Sequence, residues 1–165
     1  MESLHYIESK IFSWEHLKNQ LAIWRFKDQK IVFTNGCFDI LHLGHVEYLA
    51  KAKDFGNILI VGLNSDESVR SLKGPYRPIS NQHARSMTLA ALSMVDAVVV
   101  FEEETPYRLI QMIQPDILVK GKDYKEHEIA GNDIVRAKGG DIVTIELVKG
   151  YSTSQIIEKI YKHFK

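Results

Sequence analysis

Two stretches of this chain, ILIVGL at 58–63 and AVVVF at 97–101, are apolar without any polar alternation. A strand with one wet face alternates apolar and polar residues, so a continuous apolar run of this length fits a strand covered on both faces, the condition of an interior strand in a parallel sheet. Expected strands lie at 31–35, 58–64, 97–101, 116–120 and 141–146, and longer amphipathic segments separate them. Strands that alternate with helices need crossover connections, which put helices on both faces of the sheet. The fold class is therefore α/β, with a five-stranded parallel sheet. Ligands in such sheets bind at the carboxyl ends of the strands, where the strand order reverses.

Several helix starts carry a local signature. Thr105 before Pro106 fits an N-cap followed by proline at the first helical position, where the missing N–H costs nothing. Ser152 and Gln155 have capping-box spacing at the start of the last helix, whose Ile156, Ile157 and Ile160 are expected to face the core. Trp14, Leu17, Leu21 and Trp24 share one face of an early helix with Ser13 as its cap, a stripe that reads as packing. Residues 1–28 read as a helical extension packed on a domain of residues 29–165, and 72–81 as the one extended polar loop.

Composition narrows the function classes. Lys plus Arg and Asp plus Glu both number 21, so there is no net basic field to attract nucleic acid or an anionic membrane. The single cysteine, Cys37, cannot close an internal disulfide, and the first ten residues lack the apolar core of a signal peptide. No apolar stretch approaches the roughly 18 residues that suggest a membrane span. A cytoplasmic, soluble protein is expected.

The stretch TNGCFDILHLGH (34–45) stands where the first strand ends. No GxGxxG follows that strand, and neither GxxxxGKS nor GxxxxGKT occurs, so the common dinucleotide and P-loop signatures are absent. Instead His42 and His45 fall three apart at an expected helix start, close enough in rotation to face one ligand, with Gly44 leaving the backbone open between them. A helix N-terminus offers unpaired N–H groups and partial positive charge to phosphate. Cys37, Asp39, His42 and His45 could also be read as metal ligands, but the spacing matches no usual zinc pattern, and protein-bound zinc is not expected. Three more stretches belong at strand ends: Lys73 with Gly74 on the polar loop, KGKDY from Lys120 to Tyr124, and GYSTS at 150–154.

As an ordered set, TNGCFDILHLGH, Lys73, Arg85, LVKGKDY and GYSTS resemble the HxGH nucleotidyltransferases of the cytidylyltransferase type, which have a Rossmann-like fold. LNSDESVRSLKGPYRPI, LAALSMVDAVVVFEEETP, PDILVKGKDY, EIAGNDIV and KGYSTSQIIEKI are similar to the branch that adenylylates heptose 1-phosphate, usually one half of a bifunctional kinase and transferase. Glycerol-3-phosphate cytidylyltransferases carry an arginine in an RTEG-like phrase before the last motif, where this sequence has Leu147, Val148, Lys149 and Gly150.

The resemblance implies AMP transfer from ATP to a sugar 1-phosphate, with Mg²⁺ accompanying the nucleotide. It implies catalytic roles for His42, His45 and Lys73, and nucleotide contacts from Asn35, Gly36, Cys37, Phe38, Gly44, Lys120, Gly121 and Asp123. Gly150, Tyr151, Ser152, Thr153 and Ser154 would hold the nucleotide at the last helix, Arg85 and Asn64 would support the site, and Asp39 would position Mg²⁺, directly or through water. A homodimer is also implied, since relatives are often dimers. A glycerol-3-phosphate cytidylyltransferase, or a nucleotide sensor without turnover, are the competing readings.

Overall fold

The structure is a computed structural model that describes residues 2–122, 125 and 128–163. The chain runs α1 (Ser3–Glu8), β1 (Ile11–Phe12), α2 (Trp14–Phe26), β2 (Ile31–Gly36), α3 (Leu43–Lys53), β3 (Ile58–Asn64) and α4 (Asp66–Lys73). It continues through α5 (Gln82–Ala90), β4 (Ala97–Phe101), α6 (Tyr107–Ile113), β5 (Ile117–Gly121), α7 (Asn132–Ala137), β6 (Asp141–Ile145) and α8 (Thr153–His163). All strand pairs are parallel, in the order β1-β4-β3-β2-β5-β6.

Successive side chains of each inner strand feed opposite layers. Ile31, Phe33, Ile60, Val99 and Leu118 meet Leu17 and Leu21 of α2, Leu109 and Ile113 of α6, and Val135 of α7. Val32, Leu59, Val61, Val98 and Val119 meet Leu49 and Ala52 of α3 with Leu89 and Ala90 of α5 on the other face. Each fully buried aliphatic side chain is worth about 1.5–3 kcal/mol of transfer free energy. This explains why the sequence shows continuous apolar runs and not alternation: both faces are dry.

Four local expectations are corrected. The sheet has six strands: Ile11 and Phe12 pair with Val98 and Val99 at its edge, an element of two residues and too short to carry periodicity. Lys73 is the last residue of α4 and does not lie on the loop, because Ser65 caps that helix by accepting the Ser68 N–H and the helix runs on until Gly74. Pro106, not Thr105, stands at the N-cap of α6, with no side-chain cap bond.

The fourth correction concerns α8. Ser152 does cap this helix, accepting from the Gln155 N–H at 3.1 Å. No α8 residue is buried, however, and Ile160 is 52% exposed. Neither core cluster includes an α8 side chain.

Candidate functional site

β2 is the strand from which the chain departs in both directions: β3 and β4 lie on one side of it, β5 and β6 on the other. The strand order reverses between β2 and β5, where a crevice opens at the carboxyl ends. Lys120, at the end of β5, crosses that crevice to donate to Asn35 Oδ1 at the end of β2. Both residues line a cavity of about 600 Å³, with Gly36, Cys37, Phe38 and Gly121 beside them.

The segment after β2 delivers the histidines. His42 is the N-cap of α3 and His45 lies in its first turn, which stacks their rings with centroids 3.8 Å apart and planes 22° from parallel. Phe38, held at φ 43°, sets its ring 5.2 Å from that of His45. Gly44 suits this packing: a Cβ there would stand 3.1 Å from His42 Nδ1, a tight contact that would press on the imidazole, and 3.6 Å from the Tyr151 Cβ. Burial lowers the pKa of His42, and burial with the adjacent His42 lowers that of His45 to about 4. The pair is therefore uncharged at neutral pH. Among the described residues Nδ1 of each ring is buried without a hydrogen-bond partner, and the Ile40 backbone at His45 opposes part of the downward shift.

Below the histidines, residues 37–39 are clamped to residues 77–80. Asp39 accepts the Ile79 N–H on both oxygens, the Ser80 N–H on Oδ1 at 2.9 Å and the Arg77 Nε–H on Oδ2 at 2.6 Å. Burial alone would raise this carboxyl's pKa, but the Ser80 and Ile79 donors and Arg77 outweigh burial and lower it. Arg85, fully buried, donates to Cys37 O, Ser80 O and Asp66 Oδ1. Burial pushes the Cys37 thiol up, against the pull of Lys73, Arg85 and Arg77, so it is no thiolate at neutral pH.

Two expectations are refined here. Three N–H donors, from Ile79, Ser80 and Arg77, hold the Asp39 carboxylate, with the Ile79 N–H shared between both oxygens, so Asp39 fixes this segment in the structure. Arg85 stands outside the cavity lining and supports the site as a buried bracket.

Most of the remaining expected residues do converge. His42, Gly44, His45, Asn64, Lys73, Tyr151, Ser152, Thr153 and Ser154 line the same cavity. Gly150 lies one residue outside it in the turn before α8, and Asp123 is outside the described residues. The cavity also takes Tyr48, Leu72, Arg77, Leu147 and Val148, with 104–106 and 128–130 forming a further wall. That wall is anchored through Gly131, whose φ of +83° and approach to Ile110, 2.7 Å from where a Cβ would sit, admit no side chain. Tyr107 bonds Asp133 across it at 2.7 Å. The phrases PYRPI and EIAGND were visible as likeness to a family branch, but nothing in their spacing marked them as cavity wall.

A crevice at the strand switch point, closed by a histidine pair and a capped helix start, is the arrangement expected of the resembled family, and residues 33–159 match the family described as cytidylyltransferase-like. The chain belongs to the cytidylyltransferase-like family. Within it, the chain is 50% identical over 151 residues to the bifunctional protein HldE of Magnetococcus marinus, covering 92% of this chain and 31% of that protein. It is 52% identical over 162 residues to HldE of Wolinella succinogenes, covering 97% and 33%. The chain thus spans about a third of the length of the curated relatives it matches. Among solved structures, the lipopolysaccharide core biosynthesis protein from Thermoplasma volcanium GSS1 superposes with a TM-score of 0.61 at 28% identity, covering 75% of this chain and 99% of that one.

Magnesium is the metal this family implies. Among the described residues no group of three His, Cys, Asp or Glu could hold a metal ion, and the Asp39 carboxylate is engaged by three protein donors. The donor set does not fit a cage for a resident cation. Magnesium suits a site where it keeps waters and rides on nucleotide phosphates, as part of the substrate.

Proposed function

We propose that this cytidylyltransferase-like chain transfers AMP from ATP to D-glycero-β-D-manno-heptose 1-phosphate, giving ADP-heptose and pyrophosphate. Identity of 50–52% to two HldE proteins supports the branch, and the stacked pair His42–His45 at the rim of the switch-point cavity carries the chemistry.

In this reading an oxygen of the sugar phosphate attacks the α-phosphorus of ATP, the bond from that phosphorus to the bridging oxygen breaks, and pyrophosphate leaves. The nucleophile is already anionic near neutral pH, so no protein base is needed. The work is alignment and stabilisation of charge on the transferring group. His42 and His45 serve as neutral hydrogen-bond donors. For His42, leaving the buried Nδ1 unprotonated avoids burying an unpaired N–H, which favours the proton on Nε2. Lys73 supplies full positive charge from the end of α4.

The remaining lining residues hold the nucleotide. Asn35, Gly36, Cys37 and Phe38 offer backbone and amide contacts from β2, and Lys120 and Gly121 do so from β5. Ser152, Thr153 and Ser154 bring hydroxyls and the free N–H groups of the α8 start. Asp39 and Arg85 act indirectly, by fixing the segment that leads into the histidines.

The test is pyrophosphate release from ATP in the presence of heptose 1-phosphate, with and without Lys73→Ala. Wild-type chain should release pyrophosphate only when both substrates are present, and the variant should be slower by about tenfold or more, the scale of a lost charged contact. ATP binding without release from any sugar phosphate would reassign the chain as a nucleotide-binding sensor.

A further inference from the structure

The two arginines that pack against the 37–39 segment are used very differently. Arg85 spends its guanidinium on three acceptors, Ser80 O, Cys37 O and Asp66 Oδ1. Arg77 spends only Nε, on Asp39 Oδ2 at 2.6 Å. Among the described residues neither terminal nitrogen of Arg77 meets a protein acceptor. The side chain is nevertheless mostly covered, at 17% exposure, and it lines the cavity. A guanidinium held in a half-dry cavity with its fork unmatched is poorly satisfied by the protein alone, and a planar pair of donors suits the oxygens of a phosphate.

Its mounting is stiff. The Arg77 N–H closes a turn onto Gly74 O at 3.1 Å, and the next two N–H groups in the loop, from Ile79 and Ser80, bond the same Asp39 carboxylate that holds Nε. Asp39 stands three residues before His42, so one carboxylate fixes both Arg77 and the lead-in to the histidine pair. A donor fixed before the substrate arrives costs no reorganisation when charge develops.

Charge balance points the same way. With His42 and His45 neutral, the cations lining the cavity among the described residues are Lys73, Arg77 and Lys120, against the carboxylates of Asp39, Glu104 and Glu128. Lys120 bonds the neutral Asn35 amide and keeps its charge, but two phosphorylated substrates bring several more negative charges to that wall, and the Arg77 fork adds directed donors that two lysines do not supply.

We propose that Arg77 is a phosphate-gripping residue of the active site, held ready by Asp39 and presenting its terminal nitrogens to a phosphate group of the sugar phosphate or of the triphosphate. This rests on the adenylyl-transfer reading for its substrates but is testable without turnover. Calorimetric titration of wild type, Arg77→Met and Arg77→Lys with ATP, inorganic pyrophosphate and heptose 1-phosphate separates the sources. Arg77→Met should weaken at least one of these ligands by roughly ten- to a hundredfold, with Arg77→Lys intermediate. Loss confined to ATP and pyrophosphate assigns the triphosphate, and loss confined to heptose 1-phosphate assigns the acceptor. Should all three affinities stay within about twofold of wild type while the thermal midpoint falls, Arg77 is only a clasp on Asp39 and the proposal is overturned. If heptose 1-phosphate fails to bind the wild type at all, the acceptor assignment fails, and the ATP and pyrophosphate titrations still decide the role of Arg77.

Discussion

At the scale of residues, the site depends on keeping two imidazoles stacked and neutral. His45→Ala removes one preorganised donor and should lower turnover by roughly 10²- to 10³-fold, about 2.7–4 kcal/mol, with ATP affinity much less affected; near-normal kcat in the folded variant would remove His45 from the mechanism. The pair also makes stability depend on pH. His45 titrates near 4 in the fold against an ordinary 6.5, so between those values the unfolded chain binds more protons. Stability is then complete above pH 6.5 and falls as pH drops toward 4, by about 1–3 kcal/mol. Urea midpoints at pH 7 and pH 4.5 should show this loss in wild type and less of it in His45→Asn. Cys37, whose thiol burial holds protonated, contributes through its carbonyl to Arg85, so Cys37→Ser should keep most of the activity. The histidines and the Ser152 cap were legible because each lies within a local motif, and Lys73 was named although its place at the end of a helix was not read. The pairing of Arg77 with Asp39 was not legible, because the bond joins residues 38 positions apart and no periodicity records it.

At the scale of elements, strands and most helices could be read from the sequence because burial on two faces leaves a compositional trace. β2 to β6 fall within a residue of the expected runs. What failed was short or outside the core: β1 is two residues long, and the apolar residues of α8 join neither core cluster. The link between α5 and the loop after β2 also lay beyond sequence reasoning, though Arg85 was named. Its guanidinium joins Cys37, Ser80 and Asp66 across three segments in a dry setting. Arg85→Ala leaves those acceptors unmatched and should destabilise the fold by about 3–5 kcal/mol. Chemical denaturation of the variant checks it, and a loss below about 1 kcal/mol would show that the bracket is dispensable.

At the scale of the whole molecule, the sheet order brings most of the residues singled out in the sequence to the carboxyl edge of the sheet. The β2–β5 switch point sets the HxGH segment against Lys120 and Gly121, α4 ends with Lys73 at the same cavity, and α8 begins there with its hydroxyls. The fold is that of nucleotidyl transfer in general; residues 104–106 and 128–130 also line the cavity, which spacing alone does not reveal. The decisive measurement is therefore a cross of ATP, CTP, GTP and UTP with heptose 1-phosphate and glycerol 3-phosphate, read as kcat/KM for pyrophosphate release. ATP with heptose 1-phosphate should exceed every other pair by at least about a hundredfold, near 2.7 kcal/mol of discrimination. Preference for CTP with glycerol 3-phosphate would contradict the account.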